Sequence, residues 1–76
     1  MTEQVLRLIY PPEIINTPVV NRLIRNYTDL TVNILRADVK SNAAWLEVQL
    51  VGSAGLIESA TDWLREQGVE VQVLGA

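Results

Sequence analysis

The fold is decided by residues 30–51, LTVNILRADVKSNAAWLEVQLV, whose pattern predicts a β-hairpin. The first strand, Leu30 to Lys40, shows no helical stripe, and Ser41-Asn42-Ala43 supplies turn residues before the second strand, Ala44 to Val51. The second strand alternates, with Leu46, Val48 and Leu50 on one face and Trp45, Glu47 and Gln49 on the other. One face of the sheet is therefore predicted to be buried and the other open.

Each end of the hairpin leads to one helix and one further strand. Val5 to Tyr10 is an aliphatic strand that Pro11-Pro12 stops, and Thr17-Pro18 predicts a helix over 18–27 with the Thr17 hydroxyl as its cap. Gly52-Ser53 opens a second helix, which Gly68 ends in a left-handed conformation. The predicted apolar stripes are Val20, Leu23, Ile24 and Tyr27 in the first helix, and Leu56, Ile57, Ala60, Trp63 and Leu64 in the second. The last strand carries Val69, Val71 and Val73 in alternation.

The order of elements is β-α-β-β-α-β, which predicts one domain over residues 1–76. Right-handed crossovers place both helices on the same face of the sheet. This is the ferredoxin-like α+β architecture, a four-stranded antiparallel sheet in the strand order 4-1-3-2. Within the loop Pro11 to Asn16, Ile14 and Ile15 are predicted to fold over the end of the core, with a lid or pocket wall as the alternative.

Composition excludes several classes of function. The 76 residues contain no cysteine and no histidine, which removes disulfides, iron–sulfur ligation and the usual zinc or copper ligands. We therefore expect no metal and no cofactor. A net charge of −3 argues against nucleic acid and against anionic membrane surfaces. No signal peptide or membrane span is indicated, so a cytoplasmic location is expected.

The acidic side chains do not predict catalysis. Glu58, Asp62 and Glu66 form one solvated helical face, and Glu47 with Glu70 could approach across the sheet, but nothing indicates environments that push carboxylate pKa values apart. We expect no catalytic residues and no enzyme activity.

The open face of the sheet is the candidate site. It is predicted to mix aliphatic residues and a tryptophan with polar residues, whereas solvated antiparallel faces are normally polar. We expect a second copy or a partner to cover it; the alternative is ordinary scattered surface residues. For Trp45 the choice lies between an interface or ligand anchor and plain packing, and for Asn33 between a strand-edge or bulge role and a contact to a ligand or dimer mate. The candidate ligand-binding or dimer-face residues are Val5, Arg7, Ile9, Asn33, Leu35, Trp45 and Glu47, and the same face should also carry Gln49, Glu70 and Gln72.

The string Thr31-Val32-Asn33-Ile34-Leu35, in the second strand of a βαββαβ chain, resembles the signature of the NIL domain family. The likeness extends over nearly all 76 residues. It includes strand 1 leading to a proline, Thr17-Pro18-Val19-Val20, Leu46-Glu47-Val48 and the closing run Trp63 to Val71.

The resemblance implies a regulatory module. NIL domains end the ATP-binding subunits of bacterial methionine importers, where they pair sheet to sheet and bind methionine, so that internal amino acid shuts the transporter. Related domains occur in small proteins, some joined to a four-iron ferredoxin module. The present 76 residues contain neither a Walker motif nor cysteines, and Arg36 to Ala43 has no glycine where transporter versions commonly continue with a basic, glycine-containing hairpin.

Two functions follow as hypotheses. The first is a homodimeric sensor that binds a small amino acid such as methionine, with Val5, Asn33, Leu35 and Trp45 lining the site. The second is an interaction module that docks a protein partner, of transporter or ferredoxin type, without any small molecule. An RNA-binding domain of the same topology needs exposed aromatic residues on strands 1 and 3 and a basic surface, which this acidic chain with Trp45 alone does not match.

Overall fold

Six main elements and one 3₁₀ turn follow in the predicted order in the structure, a computed structural model that describes residues 1–75. They are β1 (Thr2–Tyr10), a 3₁₀ turn (Pro12–Ile14), α1 (Val19–Asn26), β2 (Thr31–Val39), β3 (Ala44–Gly52), α2 (Ala54–Glu66) and β4 (Glu70–Gly75). The sheet order is β2-β3-β1-β4, and every neighbouring pair is antiparallel. The ferredoxin-like fold and its strand order are thus confirmed.

The core lies between one face of the sheet and the two helices. Alternate residues of the central strands, such as Leu6, Leu8, Val48 and Leu50, are fully buried there. Leu23 of α1 and Ile57, Ala60 and Leu64 of α2 cover them. Because side chains alternate along a strand, the residues between these point to the opposite, open face. Ile14 and Ile15 pack against the core, as the sequence predicts.

Both ends of α2 are closed by local hydrogen bonds. The Ser53 hydroxyl accepts from the amide of Leu56 at 3.1 Å and so caps the first turn. At the other end Gly68 has φ +92°, its amide donates to Arg65 O at 3.0 Å, and the amide of Val69 donates to Leu64 O at 3.3 Å. This pair of bonds is a Schellman motif, which turns the chain from α2 into β4.

The first helix differs from the prediction at its start. Pro18, not Thr17, is the N-terminal cap residue of α1, and no side chain caps the helix. Thr17 contributes its backbone carbonyl, which accepts from the amide of Val19 at 2.8 Å. Val19 and Leu23, four residues apart, are the buried positions, whereas Ile24 is 48% exposed. The predicted role of the Thr17 hydroxyl and the inward position of Ile24 are therefore wrong.

Trp63 and Tyr27 join the two helices at the margin of the core. Their rings meet edge to face, with centroids 6.3 Å apart, and the Tyr27 hydroxyl donates to Ser59 O at 3.2 Å. Trp63 is half-buried and packs against the core, which supports its interpretation as a packing residue.

The two helices span 8 and 13 residues. Neither, within the part of the chain that the structure describes, has the length and apolar character needed to cross a membrane.

Candidate functional site

The open face is the side of the sheet that faces away from the helices. Its centre is formed by three directly opposite pairs of β1 and β3, Val5 with Gln49, Arg7 with Glu47, and Ile9 with Trp45. On β4, Gln72 lies opposite Arg7 and Glu70 opposite Ile9. On β2, Asn33 lies opposite Gln49. The structure thus brings six of the seven predicted residues onto neighbouring positions of one face.

The seventh, Leu35, lies at an irregularity in β2. Ile34 pairs with Val48, but the next pair is Arg36 with Glu47, so Leu35 is an extra residue without a partner on β3. This β-bulge reverses the inward and outward alternation of the rest of β2. Strict alternation predicted Leu35 on the open face, and the bulge instead places Arg36 there, opposite Glu47. Leu35 is 51% exposed at the bulge.

Glu47 is held between two arginines from the neighbouring strands. Arg7 donates to its Oε2 from Nε at 3.1 Å and from Nη2 at 2.5 Å. Arg36 donates to Oε1 from Nε at 2.8 Å, and its Nη2 lies 2.7 Å from the same oxygen. These three residues are called the Arg–Glu–Arg cluster below. The side chain of Glu47 is only 7% exposed, so both of its oxygens are satisfied inside the sheet face.

The cluster lowers the pKa of the Glu47 carboxyl below its ordinary value of 4.5. The main cause is the hydrogen bonds from Arg7, followed by those from Arg36, and the positive charges of both add to them. Burial of the carboxyl acts in the opposite direction and is outweighed. Glu47 is therefore ionised at neutral pH and serves as a structural anion, because its oxygens are occupied.

Trp45 lies beneath both guanidinium groups. The Cζ of Arg7 is 5.0 Å from the centroid of the indole ring, and the Cζ of Arg36 is 5.8 Å from it. Both distances are within the range of cation–π attraction, which is strongest for tryptophan. Trp45 is half-buried by these contacts. The indole and the carboxylate together fix the positions of the two arginine side chains.

A second polar row runs beside the cluster. Gln49 donates from Nε2 to Oε2 of Glu3 at 2.6 Å, and Asn33 donates from Nδ2 to Oε1 of Gln49 at 3.2 Å. The asparagine in the middle of β2 is therefore paired with its neighbour across the strands. Among residues 1–75, every buried side-chain nitrogen or oxygen has a hydrogen-bond partner.

The carboxylates of the open face are bonded to neighbouring side chains. Glu70 accepts from Gln72 at 3.1 Å, and Glu47 is bound to the arginines, so these two carboxylates do not form a pair. In the described part of the chain, no group of three acidic residues is placed to hold a metal ion.

A cavity of about 400 Å³ lies elsewhere, between α2 and the neighbouring ends of β1 and β4. It is lined by side chains that include Gln4, Ile57, Thr61 and Val73. The cavity does not include the cluster.

Sequence reasoning missed Arg36. A signal was present, because Ile34 and Leu35 are consecutive apolar residues and the polar positions change from odd numbers (Thr31, Asn33) to even numbers (Arg36, Asp38) after them. Such a change of phase within one strand is typical of a β-bulge.

Comparisons with known proteins agree with this fold. The sequence profile of the NIL domain matches residues 4–73. The chain is similar to the C-terminal domain of an ABC transporter ATP-binding protein from Enterococcus faecalis, with 28% sequence identity and a TM-score of 0.79, over 95% of this chain and 83% of that one. It also resembles the de novo designed protein Foldit4, with 17% identity and a TM-score of 0.62 over 99% and 97% of the two chains, a likeness of fold alone. No curated protein sequence matches the chain.

Proposed function

The chain belongs to the NIL domain family, and from this premise we propose that it is a non-catalytic regulatory module that dimerises through its open face and binds a small amino acid such as methionine. The observation that carries the proposal is the composition of the open face. Val5, Ile9 and Trp45 are half-buried on the sheet face that lies away from both helices. A face of this kind is suited to contact with another apolar surface.

A partner can cover this face at a modest cost in desolvation, provided that it or a bound ligand supplies acceptors for the outer N–H groups of Arg7 and Arg36. The polar side chains at its centre are already bonded to one another, through the Arg–Glu–Arg cluster and through the row of Glu3, Gln49 and Asn33. Polar groups that keep their hydrogen bonds when water leaves avoid the penalty of an unpaired buried group.

The size of the face agrees with a dimer contact. β1, β2 and β3 each have nine residues. At about 3.3 Å per residue and about 4.8 Å between strands, the sheet has a footprint of roughly 500 Å² before the relief of the side chains is counted. Standard interfaces bury about 800 Å² of accessible surface per partner.

A small apolar amino acid suits the same surface. Val5, Ile9 and Trp45 supply apolar contacts, while the amide of Asn33 lies on the same face as a polar anchor. Small-molecule sites are typically mostly apolar with a few placed polar groups. A site enclosed between two copies would couple binding of the amino acid to dimerisation.

We further propose that the module acts in the cytoplasm and in association with a transporter. The support is the similarity to a domain of an ABC transporter ATP-binding protein. Its non-catalytic character is supported by the use of Glu47 as a structural anion.

Sedimentation equilibrium of the purified protein tests dimerisation. We expect the unmodified protein to be a dimer and Ile9→Lys to be a monomer, because the added charge would be buried in the contact. Ile24→Lys is the matched control, since Ile24 is exposed on α1. A monomeric unmodified protein, with and without methionine, would exclude the dimer.

Thermal unfolding with a panel of amino acids tests ligand binding. A ligand at 100 times its Kd adds about 2.7 kcal/mol, which corresponds to a rise in Tm of roughly 11–22 °C for a domain of this size. A rise that is selective for methionine or another amino acid supports the sensor. A dimer with no response to any amino acid would instead favour the interaction module.

A further inference from the structure

We propose that Arg7 and Arg36 together bind the free carboxylate of the ligand, so that the site takes unmodified apolar α-amino acids and rejects their amides and esters. This inference rests on the proposed amino-acid binding and adds the chemical group that is recognised. It also assigns a role to Arg36, which the bulge in β2 brings to the open face.

Each of the two guanidinium groups has one edge that Glu47 does not occupy. Each arginine contacts Glu47 through Nε and Nη2, which is one side of the planar fork. An arginine has five N–H donors, so Nη1 and the second proton of Nη2 remain on the outer edge of each fork. No protein group among residues 1–75 accepts a hydrogen bond from Nη1 of either arginine. This outer edge has the geometry that binds a carboxylate with two parallel hydrogen bonds.

Charge points to the same class of ligand. The cluster contains two cations and one anion and therefore has a net charge of +1, whereas the whole chain has a net charge of −3. The cluster is thus a local positive centre, and the acidic Glu3 and Glu70 of the same face lie outside it, bonded to Gln49 and Gln72. An anionic group is the complement to that centre.

The arginines are also held in place before any ligand arrives. Their side chains are 36% and 64% exposed, so solvent and ligand reach them, while Glu47 and Trp45 fix their orientation. Most of the side-chain entropy that an arginine loses on binding is therefore already lost.

Apolar side chains flank the positive centre. Val5 and Ile9 lie two residues before and after Arg7 on the same face of β1. A ligand whose carboxylate contacts the cluster therefore places its side chain against an aliphatic residue. This arrangement matches a small apolar amino acid.

Calorimetric titration with L-methionine and with L-methioninamide tests the inference. We expect methionine to bind at least 10-fold more tightly, because the amide cannot form charge-assisted bonds to both arginines. Arg36→Gln should weaken methionine about 10- to 100-fold and leave methioninamide unchanged, and Arg36→Lys should restore part of the loss. Arg25→Gln is the charge-matched control on α1 and should bind as the unmodified protein does.

The outcomes separate this inference from the proposed function. Equal binding of methionine and methioninamide, or an equal loss of both in Arg36→Gln, would overturn carboxylate recognition and leave amino-acid sensing intact. If no amino acid binds, an NMR titration with butyrate measures the chemical shifts of the Nε–H resonances of Arg7 and Arg36. Shifts at these two resonances, absent at Arg25, would retain the carboxylate site and reject the amino-acid ligand; no shifts would overturn both.

Discussion

Substitution of Gly68 by alanine is expected to destabilise the protein through backbone strain alone. Gly68 has φ +92°, a conformation that costs an L-residue roughly 1–2 kcal/mol. A Cβ at this position would have Ile14 Cδ1 as its nearest neighbour at 3.9 Å, which is ordinary contact, so no steric clash adds to the strain. The reduced entropy of the unfolded chain offsets about 0.5 kcal/mol. The net loss is about 1 kcal/mol.

Gly55→Ala provides the matched control for the same chemical change. Gly55 lies in the first turn of α2, has no positive φ, and would place its Cβ with no atom within 4 Å. Alanine is the better helix former, so this variant should gain about 0.5 kcal/mol. The free energy of unfolding should therefore change in opposite directions in the two variants, which should differ by roughly 1.5 kcal/mol. Gly68→Asn should lose less stability than Gly68→Ala, because asparagine tolerates left-handed backbone.

Urea and thermal unfolding followed by circular dichroism would measure these differences. We expect Tm to fall by about 4–8 °C in Gly68→Ala and to rise by a few degrees in Gly55→Ala. The Schellman motif at Gly68 leads directly into β4, which places Gln72 beside Arg7, so NMR should show the largest shifts at this junction. If Gly68→Ala were as stable as the unmodified protein, the assignment of the turn to a strained left-handed residue would be refuted.

Three further predictions concern the core, a helix cap and pH. Leu8→Ala removes a fully buried side chain and should cost about 2–5 kcal/mol in urea unfolding, whereas Leu35→Ala, at the exposed bulge, should stay within about 0.5 kcal/mol. Ser53→Ala deletes the cap that accepts from Leu56 and should lower stability by about 1 kcal/mol; an unchanged urea midpoint would show that water replaces the cap. The lowered pKa of Glu47 makes its contribution to stability fully present above pH 4.5 and lost as pH falls through the folded-state pKa, so urea midpoints should decline on acidification. Glu47→Gln, which has no such titration, should show a flatter acid dependence; an identical acid decline in both proteins would contradict this assignment.

The sequence by itself determined the order of elements, the strand order and the two faces of the sheet. These features depend on local signals, which are the period-2 alternation of β3, the turn at Ser41-Asn42-Ala43 and the glycine that ends α2. The chain also carried enough of the NIL pattern to indicate its family. Regular alternation applies to β1 and β3 throughout their length, so the sequence alone placed five residues on one face, namely Val5, Arg7, Ile9, Trp45 and Glu47.

Only the tertiary structure decided which side chains of the open face bond to one another. The bulge at Leu35 exists in the pairing of β2 with β3, and strict alternation along one strand gives Arg36 the wrong side. The partners of Glu47 come from 40 and 11 residues away in the chain, so their meeting depends on the register of three strands. The start of α1 was likewise not given by the local pattern, since Pro18 and not Thr17 takes the cap position and Val19 and Leu23 are the buried residues. Local preferences set which residues can share a face, and long-range register sets which of them touch.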